Sequence, residues 1–295
     1  MNVNVGEKIK ELRTRKQMTQ SELAGVNVSR NMVSLIENGR ATPSMETLTA
    51  VATKLKVSPA FLLADDRERA ALIKQETLSD IRIAYSGKNY RICTDLCQGL
   101  YRNGLERDDE VDLIMAESLF GNAREAFLAD RIRLCCELLD EAVVYAARTV
   151  YNTDHILSGA WWYFEYLGLL SPSITSENLA SDFTPVSAPR NDVFCRYMET
   201  AFDESADEFR LLPSDPAMAN LLATHIRGRR YMREKDYRKA VDCLAEILHS
   251  PSVLPGVVMY YVFCDMEECC RQLGSQKSEE SYRETKLSIL EKLLS

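Results

Sequence analysis

Apolar side chains recur at helical spacing through almost the whole chain, and the polar residues between them mark where helices start and stop. In residues 6–16, Ile9 and Leu12 share a face, with Lys8, Lys10, Arg13, Arg15 and Lys16 around them. Thr19-Gln20-Ser21-Glu22 has the form of a capping box: Thr19 caps a helix start and Glu22 reaches back. Leu23 and Ala24 then face inward, Gly25-Val26-Asn27 makes a turn, and Ser29 caps the next helix. Within that helix Val33 and Ile36 fall on the buried side, while Arg30, Asn31, Ser34 and Leu35 fall outside. Asn38-Gly39 ends it. Ser44 opens a fourth helix with Leu48, Val51, Ala52 and Leu55 inward, and Ser58-Pro59 opens a fifth through Phe61 and Leu62. The pattern predicts five short helices around one core over residues 1–64.

A charged connector, residues 65–70, runs towards a helix, and from residue 71 to 295 the chain reads as helix pairs. The clearest is 221–254, where Gly228, Tyr231, Tyr237, Ala240, Leu244 and Ile247 stand at the offsets of a 34-residue tetratricopeptide (TPR) repeat. Small residues at Gly228 and Ala240 let two helices approach, and the tyrosines and leucines fill the seams. Residues 83–100 repeat the pattern after its turn: Lys88-Asn89-Tyr90 matches Lys235-Asp236-Tyr237, and Cys93, Cys97 and Leu100 match Ala240, Leu244 and Ile247. Further helices are expected over 109–127, 130–148, from 154, and over 191–212, 257–273 and 278–294, with an irregular Ser/Pro-rich loop over 171–190. The fold class predicted is all-α: a five-helix head followed by a TPR-like α-solenoid of about five helix pairs.

Charge sharpens this division. The chain of 295 residues carries a net charge of -8, but residues 1–64 hold nine Lys/Arg against five Glu, a net +4, leaving -12 for the rest. A basic head on an acidic body suits a module that meets phosphate joined to one that does not. The longest apolar run, 257–264, is far too short to span a bilayer, and the N-terminus has no apolar core of signal-peptide length. Nine cysteines without such a signal point to thiols in a reducing cytoplasm. They form no CxxC pair; His155, His225 and His249 are scattered; and no phosphate-binding glycine loop or HExxH occurs, so neither metal, cofactor nor enzymatic chemistry is expected.

Residues 19–39, two short helices joined by a tight turn with a polar ridge on the second, have the arrangement that places a helix in the major groove of DNA. Leu12-Arg13, Thr19-Gln20, Leu23-Ala24, Val28-Ser29-Arg30, Ile36-Glu37-Asn38-Gly39 and Pro43-Ser44 together resemble the Cro/phage-repressor type of helix-turn-helix, the XRE family, over residues 5–63. The resemblance implies that Arg30, Asn31, Ser34 and Leu35 face base edges. It implies too that Gln20 and Asn38, joined by Ser29, Arg40 and the lysines of the first helix, hold phosphates, and that Arg13 and Glu37 pair across the core. The chemistry agrees: Arg donates a bidentate pair to guanine, Asn can do so for adenine, and Leu35 or Met32 can touch a thymine methyl. Between Ala24 and Val28 this chain has one residue fewer than the usual pattern, so its turn must be tighter.

In a solenoid the groove is lined by the first helix of each pair, and in the clear repeat those offsets fall on Leu222, His225, Arg229 and Met232. A DNA-binding head followed by a TPR body resembles the RRNPP regulators of Gram-positive bacteria. That resemblance implies a homodimer on an inverted-repeat operator in double-stranded DNA, and a signalling peptide or protein effector in the groove. Two other readings remain open at this point: a TPR adaptor whose head no longer reads DNA, and a thiol-based redox sensor.

Overall fold

A computed structural model of the chain describes residues 5–25, 28–185, 187–189, 192–202 and 216–295. The fold is all-α: the described residues form helices joined by turns and loops, with one isolated bridge between Gly25 and Val28. They fall into two compact units, one of residues 1–87 with 95–108, the other of residues 88–94 with 109–295.

The first unit begins with α1 (Val5–Arg15), α2 (Gln20–Leu23), α3 (Arg30–Glu37), α4 (Met45–Leu55) and α5 (Pro59–Leu63). Every expected cap is formed: Thr19 and Glu22 close a capping box, Ser29, Ser44 and Ser58 accept from backbone amides three residues on, and Pro59 takes the first helical position. Each cap satisfies an amide that the helix itself leaves orphaned. Ile9, Leu23, Val33, Ile36, Leu48, Val51, Leu55 and Leu62 form one core, as their spacing predicts. Val26 and Asn27 of the expected turn lie outside the described residues. Asp65 is the N-cap of α6 (Asp66–Ser86), in a second capping box with Glu68, so the border that the sequence places at residue 70 lies inside this helix.

The second unit stacks helix pairs in the manner of a TPR-like α-solenoid. α8 (Asp109–Leu128) packs on α9 (Ile132–Ala146), α12 (Pro216–Arg233) on α13 (Tyr237–Leu248), and α14 (Gly256–Gln272) on α15 (Gln276–Leu294). α10 (Asp154–Gly168) packs on α9 and on α11 (Val193–Phe202), and α11 in turn on α12. Each three-residue hairpin loop turns on a central left-handed residue: Asp130, Lys235 and Gly274, with φ of 57°, 61° and 71°. In each loop the amide after that residue donates to a carbonyl five residues back, which closes the helix end (Arg131 to Ala126, Asp236 to Tyr231, Ser275 to Cys270). Lys88, ahead of α7 (Tyr90–Arg102), has the same conformation at φ 57°, so the matched Lys-Asn-Tyr and Lys-Asp-Tyr triplets are the same turn. Gly228 allows the expected close approach: a Cβ there would lie 3.0 Å from Leu244 Cδ2, and Ala240 is buried. Of the helix expected over 191–212, residues 191 and 203–212 lie outside the described residues. The last pair also returns to the first of this unit. α15 packs on α9, and the Gly256 amide that starts α14 donates to the Asp130 carboxylate in the α8–α9 loop.

Candidate nucleic-acid interface

The outward face of α3 is the candidate surface, and what lies behind it decides how firmly it is held. Ser29 Oγ accepts from Met32 N at 3.2 Å, while Val33 and Ile36 anchor the inner face in the core. Arg30, Asn31 and Met32 are exposed, and Ser34 and Leu35 are half-buried. Asn38 closes the C-terminal end by donating from Nδ2 to Ser34 O at 2.8 Å; Gly39 then turns the chain at φ 67°.

Glu37 ties α3 to α1 and α2. Arg13 Nε donates to Glu37 Oε1 at 2.6 Å, Arg13 Nη2 to Oε2 at 3.1 Å, and Gln20 Nε2 to Oε2 at 2.8 Å. Arg13 also donates from Nη1 to Met18 O at 2.7 Å, so a single guanidinium spans three segments of the head. Burial pushes the Glu37 carboxyl upward, but the hydrogen bonds from Arg13 and Gln20 outweigh it and hold the group below its ordinary value of 4.5. A depressed folded-state pKa contributes stability that is complete above the unfolded value and is lost as pH falls through the folded one. The urea midpoint of the head should therefore drop between pH 6 and pH 3.5 by more in the wild type than in Glu37→Gln, measured by hydrogen exchange over residues 5–63. An equal drop in both would remove Glu37 from the acid response.

The expected phosphate ligands are placed unevenly. Gln20 commits one of two amide N–H donors within the head and keeps the second, Asn38 Nδ2 donates to Ser34 O at 2.8 Å and to Ser34 Oγ at 3.5 Å, Ser29 accepts with its oxygen and keeps its O–H, and Arg40 is exposed. Lys8 is a correction to the expectation for the first helix: it is 2% exposed and its Nζ donates to Ala64 O, so it staples α1 to the end of α5 and is withdrawn from the surface. Lys10 and Lys16 are exposed.

The expected groove in the second unit divides in two. Arg229 and Met232 line a cavity of about 450 Å3 among α11, α12, α13 and α14, together with Tyr237, Asp265 and Glu268. Leu222 and His225 do not reach it; both are 0% exposed. Leu222 is core. His225 belongs to a buried chain of hydrogen bonds: its Nε2 lies 2.9 Å from Asp265 Oδ2, its Nδ1 2.6 Å from Tyr197 OH, and Tyr197 OH 3.1 Å from Tyr166 OH. With the ring proton on Nε2, His225 donates to the carboxylate and accepts from Tyr197. The helical period placed these residues on one face, but α11 and α14 close over half of that face.

None of the nine cysteines is in a disulfide; seven are buried, and Cys136 and Cys264 are half-buried. Burial pushes both up to about 11, which leaves them protonated and poorly nucleophilic at neutral pH. Iodoacetamide at pH 7.5 should label the native protein at least about tenfold more slowly than the urea-unfolded chain, by intact mass. A thiol labelling natively at the unfolded rate would restore the redox-sensor reading. Among the described residues no cluster of His, Cys, Asp and Glu could hold a metal ion, and no helix is long and apolar enough to cross a membrane.

Residues 9–62 match the family model described as helix-turn-helix. The immunity repressor protein of Bacillus phage phi105 is 36% identical over 75 residues, which cover 25% of this chain and 49% of the repressor. The chain thus spans about half the length of the curated relative it matches. Among solved structures, Bacillus thuringiensis PlcR in complex with the peptide PapR7 and DNA is similar at 14% identity and a TM-score of 0.23, covering 98% of this chain and 95% of that one. ComR from S. thermophilus in complex with DNA and its signalling peptide ComS is similar at 14% identity and a TM-score of 0.24, covering 97% and 99%.

Proposed function

From a head that is a DNA-binding helix-turn-helix domain of the XRE/Cro type, joined to stacked TPR-like helix pairs, we propose a cytoplasmic, sequence-specific transcription regulator that works as a homodimer. Residues 1–64 form the reading head. Two copies of α3 enter successive major grooves, so the operator is an inverted repeat with half-sites about one helical turn apart. Arg30, Asn31, Ser34 and Leu35 meet base edges; Gln20, Ser29, Asn38 and Arg40 hold the flanking phosphates. The observation that carries this reading is the construction of α3, whose exposed polar face is capped at both ends and braced from behind by the Arg13–Glu37–Gln20 cluster. The body takes a peptide or protein effector at the cavity walled by Arg229 and Met232, and acts on the heads only so far as that effector binds their two arrangements unequally.

Affinity selection of sheared genomic DNA on the full-length protein, sequenced at two salt concentrations, tests this. Enrichment of an inverted repeat that persists at the higher salt is expected. Diffuse enrichment that disappears with salt would reduce the head to phosphate attraction and turn the reading towards an adaptor.

A further inference from the structure

The turn between α2 and α3 is short, and the structure contains a fastener for it on another helix. α2 has only four residues, so most of its carbonyls lack an intrahelical partner. Its C-cap, Ala24, is already extended, and Gly25 and Val28 then pair in one bridge, Gly25 N to Val28 O at 2.8 Å and Val28 N to Gly25 O at 3.4 Å. Lys54, near the end of α4, reaches across. Its Nζ donates to Glu22 O at 2.9 Å and also to Ala24 O. The same ammonium lies 3.3 Å from where a Cβ on Gly25 would stand, so it is seated on the turn itself. An ammonium has three donors and a full positive charge, which suits two carbonyls converging at a helix C-terminus. Val28, one residue before the Ser29 cap, is 4% exposed and belongs to the core, so the position of this turn sets where α3 begins.

We propose that Lys54 is a positioning residue for DNA reading: it ties down the end of α2 at Glu22 O and Ala24 O and thereby fixes the register of α3, without touching DNA. This rests on the reading of α3 as the base-reading helix. Here a side chain from α4 satisfies carbonyls that four-residue α2 leaves without a helical partner. Neutralising Lys54, by substitution or by acylation of the amine, loosens α3 while leaving its outward residues unchanged.

The experiment compares wild type, Lys54→Met and Lys54→Arg in the full chain. Methionine keeps most of the stem and loses the charge; arginine keeps the charge and the donors. Hydrogen exchange over residues 24–36 is measured without DNA, and binding is then measured to the selected operator and to a scrambled duplex across a salt series. Lys54→Met is expected to speed exchange in this segment at least about tenfold and to lower the operator-to-scrambled affinity ratio by about tenfold or more, the size of losing one aligned base contact. The slope of affinity against salt stays as in wild type, and Lys54→Arg restores both readouts. Unchanged exchange in Lys54→Met overturns the proposal whatever DNA binding does. A salt slope lower by about one, with the affinity ratio kept, makes Lys54 a phosphate ligand and overturns it equally. If wild type prefers no sequence while exchange still responds to Lys54→Met, the fastener stands and the base-reading assignment of α3 falls.

Discussion

Gly6→Ala is expected to destabilise the head strongly, although by local preference alone it should stabilise it. Alanine is favoured over glycine inside a helix by about 1 kcal/mol, and Gly6 lies inside α1. A Cβ at this position, however, would stand 1.9 Å from the carbonyl oxygen of Ile36 and 2.8 Å from its carbonyl carbon. These are backbone atoms of α3, held by the helix and by Ile36 in the core, so no side chain can swing aside to make room. α1 would have to move by more than 1 Å (about the overlap with an ordinary van der Waals contact) and would carry Ile9 and Arg13 with it. Overpacking of this kind costs about 1–3 kcal/mol and more where nothing can relax, so a loss of about 3 kcal/mol in the head is expected. Hydrogen exchange over residues 5–63, with residues 109–168 as internal control, checks it. Faster exchange confined to the head is the expected result. Protection equal to wild type would mean that α1 and α3 are not in contact at Gly6.

The failure of propensity at Gly6 shows what was legible in the sequence and what was not. Caps were legible, because Thr19, Ser29, Ser44 and Ser58 act on amides within one turn of their own position, and that distance is visible in the chain. The Lys88 and Lys235 turns were legible for the same reason. Contacts between distant segments were not. Nothing local distinguishes Gly6 from a surface glycine, or Lys8, sealed beneath Ala64, from the exposed Lys10. The pairing of Arg13 with Glu37 is equally distant, and came only through resemblance to a family. In the body, the repeat offsets put Leu222, His225, Arg229 and Met232 on the groove side of α12. Which of them remained open then depended on α11 and α14, far along the chain. Periodicity gives a face, and tertiary packing decides how much of it is covered.

Arg30→Ala with Asn31→Ala should do the opposite of Gly6→Ala, leaving the fold intact and removing the reading. Both side chains are exposed at the start of α3, and alanine suits a helix at least as well as either. Stability should therefore change by no more than about 0.5 kcal/mol. Each bidentate contact to a base discriminates by about 1–3 kcal/mol, so losing two should lower the operator-to-scrambled affinity ratio by a hundredfold or more, on the order of 3 kcal/mol. Affinity for scrambled DNA should fall only modestly, since one positive charge is lost, and the salt slope by at most about one. Equilibrium binding of both duplexes at two salt concentrations separates these effects, with an unfolding curve as control. A double variant that keeps its preferred site would place base recognition elsewhere on the head. Ser34 and Leu35, half-buried one turn further along, would then be the residues to exchange next. A variant that loses both duplexes equally would make Arg30 a phosphate ligand and leave the head with electrostatic attraction alone.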